Sequence, residues 1–204
     1  MKRTNKVRSG RETTRRMARW FFLSLLLLAM LALLPSLSFG LQAILTGDTY
    51  TSSSSGTNNF GKQINLLVQG SPGSSTGKTS FLKFDLSVLP AGTAGNNVGK
   101  ATLRLFVNKV TKAGAFDVVR VLGDWDENNI NENTAPALGS VEADEVSVEK
   151  ADVLSYVKVD LTNLVKSWVD GVVMNYGIAI VPNTEGIDVS LTAKRTRRRA
   201  MSHP

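Results

Sequence analysis

Short segments in which apolar and polar residues alternate recur along the chain from residue 41 onward. In the run 81–86, the positions predicted to face inward are Leu82, Phe84 and Leu86, and those predicted to face outward are Phe81, Lys83 and Asp85. Two later runs repeat the pattern, with outward positions Arg104, Phe106, Asn108, Tyr156, Lys158 and Asp160. A period of two is that of a strand with one buried face, and clusters of Gly, Ser, Asn and Pro separate the runs. The pattern predicts an all-β fold of many short strands, a sandwich or a barrel.

One segment has the 3.6-residue period of a helix instead. Its apolar face would carry Leu161, Leu164, Val165 and Trp168. Asp170 and Gly171 end the pattern. We predict one short helix over 161–169 that covers an open end of the fold, with Trp125 and Trp168 as core residues.

The first 40 residues have the features of an export signal. Basic residues precede an apolar run of 15 residues, Trp20 to Leu34, and Ser38 and Gly40 place small residues at the −3 and −1 positions of a cleavage site. A membrane-spanning helix needs about 20 apolar residues. We therefore predict a signal peptide over 1–40 and a secreted or cell-surface domain over 41–204, with membrane attachment only if the signal stays uncleaved.

The net charge of +7 comes from the two ends of the chain. Residues 1–40 contain eight Lys/Arg and one Glu, and the basic tail 194–204 contains five Lys/Arg. Residues 41–193 contain 11 Lys/Arg against 16 acidic residues. A nucleic-acid-binding domain would carry basic residues over its folded body, so no nucleic-acid partner is expected.

The residue types that most hydrolytic and metal chemistry requires are missing from the body of the chain. There is no cysteine, and the single histidine is His203. Histidine triads, thiolate nucleophiles and zinc clusters are thereby excluded. The segment 73–79 is similar to a phosphate loop, but Pro72 stands where that loop needs glycine and a strand follows instead of a helix. We predict no enzymatic activity and no cofactor.

Acidic residues leave two alternatives open. The segment 124–131 begins like a calcium-binding loop, but it lacks the glycine at the sixth position and the glutamate at the twelfth. A single structural calcium stays open, with Asp48, Asp124 and Asp126 as candidate ligands. A glycosidase carboxylate pair also stays open, although a compact sandwich leaves little loop to form a cleft around it.

The order of seven segments resembles that of a known family. These segments are 47–50, 81–90, 101–107, 118–125, 134–139, 157–171 and 176–182. Together they resemble the secreted module called the DNRLRE domain, which is similar to carbohydrate-binding module family 96. The resemblance implies a jelly-roll-type β-sandwich that binds an extracellular polysaccharide without catalysis. For family 96 it implies alginate as the ligand, bound through Lys and Arg.

Outward basic side chains are the candidate binding residues. They come from separate segments and are Lys62, Lys78, Lys83, Arg104, Arg120 and Lys158. If the strands of Lys83, Arg104 and Lys158 share one sheet, they form a cationic stripe, which suits the recurring carboxylates of an acidic polysaccharide. The alternative is an ordinary solvated face, in which Asp85 and Asp160 balance the cations.

The C-terminal end leaves the last strand of the fold open. In the resembling family, a segment like 189–194 continues through Ser-His-Pro into one more alternating strand, whereas this sequence stops at Ser202-His203-Pro204. A missing strand would leave an unpaired sheet edge. A truncated gene product and a strand donated by a partner protein both stay open. The second defines an alternative function, a structural or adhesive surface module that binds no sugar.

Overall fold

The structure is a computed structural model that describes residues 40–70, 76–183 and 186–193. The predictions of a signal peptide over 1–40 and a basic tail over 194–204 concern residues outside these ranges, apart from Gly40. The described elements are β1 (Ile44–Ser52), β2 (Leu66–Gly70), β3 (Lys78–Asp85), β4 (Thr102–Lys112), β5 (Gly114–Val121), β6 (Leu138–Val148), β7 (Tyr156–Asp160), α1 (Thr162–Val169), β8 (Ile178–Pro182) and β9 (Ile187–Ala193). Within the described ranges, no helix has the length and apolar character that a membrane span requires.

The nine described strands are all antiparallel and form one continuous hydrogen-bonded sheet that folds into two layers around the core. Hydrogen bonds connect the strands in one path, β6-β5-β8-β3-β2-β9-β4-β7, with β1 paired to β3. Among the described residues, β2 and β3 share one paired position, Gln69 with Lys78, and we divide the path into two sheets there. We call β6-β5-β8-β3-β1 the β3 sheet and β2-β9-β4-β7 the β4 sheet. Strands β2 to β9 have the strand order of a jelly roll, and the predicted all-β fold is confirmed.

The further strand that the resembling family has after its Ser-His-Pro is not needed for this order. Strand β9 already lies between β2 and β4, where it pairs with both. All eight strands of the jelly-roll order are therefore among the described residues.

The main core lies between the two sheets. Leu82 and Ile180 enter it from the β3 sheet, and Leu105 and Leu191 enter it from the β4 sheet. All four side chains are fully buried. The single hydrophobic cluster that contains them identifies the inner face of each sheet.

Helix α1 packs against this core, as its periodicity predicts. Leu161 is the N-cap residue, and the helix ends at Val169 with Asp170 as the C-cap. Leu164 and Trp168 are buried in the same cluster as the strand residues. The predicted helix and the core position of Trp168 are confirmed.

A second hydrophobic cluster lies on the other face of the β3 sheet. It contains Phe81, Val121, Trp125, Ile130 and Ala179. Trp125 and Ile130 come from the segment 122–137, which joins β5 to β6 and which we call the cap loop. The core position of Trp125 is confirmed, although in this second cluster.

Hydrogen bonds fasten the cap loop to the body of the fold. The indole Nε1 of Trp125 donates to the carbonyl oxygen of Tyr176 at 2.9 Å. The Nδ2 of Asn59 donates to the carbonyl oxygens of Glu127 and Ile130, each at 2.7 Å. The cap loop therefore shields the outer face of the β3 sheet.

The cap loop makes one orientation prediction wrong. Phe81 was expected to face outward because Leu82 and Phe84 face the core. Its side chain does lie on the opposite face from Leu82, but only 2% of it is exposed. The alternation gave the correct side of the strand, and the cap loop makes that side a second interior.

Candidate functional site

Two of the six candidate cations meet on the outer face of the β4 sheet. Arg104 on β4 is the direct cross-strand partner of Lys158 on β7. Both residues are exposed, since their neighbours Leu103, Leu105 and Val159 take the inward positions. Directly opposed residues in an antiparallel pair have Cβ atoms about 4.5–5.5 Å apart. Neither side chain forms an ion pair with any described residue.

An aromatic pair lies next to these cations on the same face. Phe106 is the cross-strand partner of Tyr156, and their ring centroids are 5.2 Å apart in an edge-on arrangement. The guanidinium carbon of Arg104 lies 4.5 Å from the centroid of the Tyr156 ring. A cation–π contact of this kind contributes about 0.5–1 kcal/mol at an exposed position. It therefore favours one orientation of the Arg104 side chain.

Polar side chains continue the face toward β9 and β2. The Nδ2 of Asn108 donates to Thr192 Oγ1 at 2.5 Å and to Asn65 Oδ1 at 3.2 Å. Thr192 is the cross-strand partner of Phe106. We call the set Arg104, Phe106, Asn108, Tyr156, Lys158 and Thr192 the β4 platform.

Asp160 lies at the end of β7, opposite Thr102. The hydroxyl and the amide of Thr162 both donate to its Oδ1, at 2.5 and 2.9 Å. These two hydrogen bonds, that of the hydroxyl first, lower the pKa of the Asp160 carboxyl. Asp160 is two positions beyond Lys158. Its carboxylate is thus tied to Thr162, the first residue of α1.

Lys83 does not join the platform, so the predicted three-membered stripe is wrong. It lies on β3, which belongs to the other sheet. Its amine binds the Asp124 carboxylate and donates to the carbonyl oxygen of Trp125 at 3.2 Å. The lysine thereby links β3 to the cap loop.

The other three candidates are also separate from the platform. Lys78 donates to Gln69 Oε1 at 2.6 Å, at the one position where β2 and β3 pair. Lys62 is exposed in the connection between β1 and β2, directly after Gly61. Gly61 approaches the backbone of Glu127 so closely that a Cβ atom would not fit there. Lys62 therefore lies beside the cap loop.

Arg120 was predicted to face outward, and this is wrong. It shares the inner face of β5 with Phe116 and Val118, and only 22% of its side chain is exposed. One guanidinium NH₂ donates to Ser140 Oγ at 3.1 Å, and Nε lies 3.9 Å from Glu142 Oε1. Arg120 thus links β5 to β6 at the end of the core.

Sequence reasoning missed two cations on the outer face of β4. Lys109 and Lys112 are exposed and pair with Ser190 and Asp188 of β9. Strict alternation from Leu105 and Val107 would place residue 109 inward. Two bulges, between Val107 and Lys109 and between Val110 and Lys112, shift the register. The sequence did carry one signal of this shift. The valines Val107 and Val110 are three residues apart, which breaks the period of two, and both are buried.

The candidate calcium ligands do not form a cluster. Within the described ranges, no group of three or more His, Cys, Asp or Glu residues is arranged to hold a metal ion. Asp124 accepts from Lys83, which is the main reason that its pKa is lowered. Asp126 Oδ1 accepts from the amide of Asn128 at 2.9 Å.

The sequence matches the model of a known family. The family model of carbohydrate-binding module family 96 matches residues 41–201. No curated protein matches the chain. The matched range contains all nine described strands, and therefore both sheets, the cap loop and the β4 platform.

Proposed function

The chain belongs to carbohydrate-binding module family 96, and we propose that it binds an acidic polysaccharide such as alginate on the β4 platform. The observation that carries this proposal is the pairing of Arg104 with Lys158 beside Tyr156 and Phe106 on an exposed sheet face. The proposed role is binding without bond cleavage.

The cation pair is the reason to choose an acidic ligand. Like charges directly opposite each other on a sheet destabilise the strand pair, by a few tenths to about 1 kcal/mol. Arg104 and Lys158 form no ion pair with a described acid that would offset this repulsion. A ligand carboxylate between the two side chains would accept charge-assisted hydrogen bonds from both. Binding would also relieve the repulsion between the two cations, which adds to the free energy of binding.

The aromatic pair is the reason to choose a sugar. Tyr156 is 40% exposed, and Phe106 is half-buried beside it. Their rings give the platform an apolar patch next to its charges, and the Tyr156 hydroxyl adds a polar group. A uronic acid unit has both an apolar C–H surface and a carboxylate, so a single unit can use both parts of the platform.

We place the bound polysaccharide outside the cell. The support is the predicted export signal over residues 1–40, together with the family of the chain. In this role the protein would hold a cell surface or a partner enzyme close to an extracellular glycan.

The test is to measure alginate binding by isothermal titration calorimetry on the purified protein and on Arg104→Ala, Lys158→Ala and the double variant. Each charge-assisted hydrogen bond contributes roughly 1.5–3 kcal/mol to binding. The affinity of each single variant should therefore be lower than that of the parent by about a factor of ten or more. The double variant should show no measurable heat of binding.

Lys62→Ala is the matched control, because it removes one exposed positive charge beside the cap loop. It should bind alginate like the parent protein. Equal binding by the parent and the double variant would contradict the proposed site. Failure of the parent to bind alginate and other acidic polysaccharides, with binding to a neutral glucan instead, would contradict the proposed ligand class.

A further inference from the structure

We infer that the binding site extends from the β4 platform along β4 to Lys109 and Lys112, so that the protein recognises the length of an acidic chain and not only one unit. This inference rests on the proposed function, because it assigns a second part of the same site. It commits to one ligand, a linear polysaccharide with a carboxylate on each unit.

Lys109 reaches the outer face only because of a bulge. Its cross-strand partner Ser190 lies between Val189 and Leu191, whose side chains are buried in the core. Ser190 and Lys109 therefore share the outer side of the sheet. Lys109 is exposed and forms no ion pair with a described residue. Bulges often redirect a side chain near a functional surface.

Lys112 is the last residue of β4, and its amine lies close to Gly186, the residue before β9. A Cβ atom on Gly186 would collide with the Lys112 amine. Gly186 has a φ of 75°, a conformation that favours glycine. The absence of a side chain thus makes room for the ammonium group above the backbone.

The spacing of these cations sets the length of the ligand. Arg104 and Lys112 are eight residues apart on β4, but the two bulges remove about two residues of rise, so the separation is roughly 20 Å at the usual rise of a β-strand. A pyranose unit is shorter than two strand residues, so a di- or trisaccharide can reach only one end of this row. A chain of about six units can reach Arg104, Lys109 and Lys112 together.

Two acidic residues on the face lie at its margins. Asp160 is tied to Thr162 at the end nearest α1. Asp188 is the cross-strand partner of Lys112 and of Gln69. Neither lies between Arg104 and Lys109 along β4, so a polyanion can follow this part of the strand without crossing either carboxylate, and it meets Asp188 only at the far end, beside Lys112.

The experiment compares trimeric and hexameric oligomannuronate as ligands for the purified protein and for the double variant Lys109→Gln,Lys112→Gln. The variant should bind the hexamer about tenfold more weakly and the trimer like the parent. The charge-conserving variant Lys109→Arg,Lys112→Arg should bind the hexamer like the parent. Lys62→Gln is the control for loss of charge away from the face.

The outcomes separate this inference from the proposed function. If Arg104→Ala,Lys158→Ala loses both ligands while Lys109→Gln,Lys112→Gln binds both like the parent, the platform stands and the extension is wrong. Equal weakening of trimer and hexamer by Lys109→Gln,Lys112→Gln would also overturn the extension, because it would indicate a general effect of net charge. Loss of neither ligand in any variant would contradict the proposed function itself.

Discussion

The outer faces of the two sheets begin from the same local pattern and end with different roles. Strand β3 carries Phe81 and Lys83 on its outer side, and β4 carries Arg104 and Phe106, so each has an aromatic residue and a cation two positions apart. Phe81 is 2% exposed under the cap loop, whereas Phe106 is half-buried beside an exposed tyrosine. A strand pattern gives the side on which a residue lies, but distant segments decide whether that side is buried.

The cations on the two faces show the same difference. The Lys83 amine has both a carboxylate partner, Asp124, and a backbone carbonyl partner in the cap loop. Arg104 and Lys158 face each other without an acidic partner among the described residues. Lys83 on the β3 sheet is thus engaged within the fold, whereas Arg104 and Lys158 on the β4 sheet are exposed, as the proposed ligand contact requires.

The largest expected difference between the faces is in stability. Phe81→Ala should lower the free energy of unfolding by about 3–5 kcal/mol, because it leaves a cavity beneath Trp125. Phe106→Ala removes a half-buried ring from the surface and should lower it by less than about 1 kcal/mol. Urea unfolding followed by tryptophan fluorescence measures both values.

Alginate binding provides the opposite comparison for the same two variants. Phe81→Ala should keep the affinity of the parent at a temperature where it is folded, and Phe106→Ala should bind more weakly. Equal destabilisation by the two substitutions would mean that the cap loop does not make the outer face of β3 a second interior.

Much of this fold could be predicted from alternation and helical periodicity, because each of these patterns is set by a few neighbouring residues. The alternation over 101–107 and 156–161 gave the inner and outer sides of β4 and β7, and helical periodicity gave α1 with Trp168 in the core. The cationic residues Arg104 and Lys158 were found in the same way. Their direct pairing was not predictable, because it depends on which strands become neighbours.

The wrong predictions, and the failure to identify Lys109, have long-range causes. Lys83 was grouped with Arg104 because both strands alternate, yet the jelly-roll path places β3 and β4 in different sheets. Arg120 continues the inner face of β5 beyond Val118. The bulges in β4 exposed Lys109 where strict alternation would bury it. Strand order, strand ends and bulges depend on cross-strand pairing, which a single run of residues does not record.

A smaller effect tests whether the β4 sheet sacrifices stability for binding. Lys158→Thr removes one of two opposed like charges and adds a residue with high strand propensity. We expect it to raise the free energy of unfolding by a few tenths of a kcal/mol and to weaken alginate binding about tenfold. Urea unfolding and calorimetry on the same sample measure both effects.

Lys83→Thr is the matched control on the other sheet. It breaks the link to Asp124 and the cap loop, so it should lower stability and leave alginate affinity unchanged. Lower stability in Lys158→Thr would show that this lysine supports the sheet, and the contrast between the two faces would then be wrong.

The smallest expected effect is on the acid sensitivity of the covered side. Hydrogen bonding by Lys83 lowers the pKa of Asp124 below its ordinary value of 3.8. A carboxyl whose pKa is lower in the folded than in the unfolded state adds stability above the unfolded pKa, and that stability is lost as pH falls through the folded pKa. Asp124→Asn should therefore have a melting temperature that declines less steeply than that of the parent below about pH 4. Because the interaction needs both partners, adding Lys83→Gln to Asp124→Asn should leave that slope unchanged, and thermal melts at a series of pH values measure it. An Asp124→Asn protein that declines as steeply as the parent would show that the ion pair does not couple the cap loop to the β3 sheet.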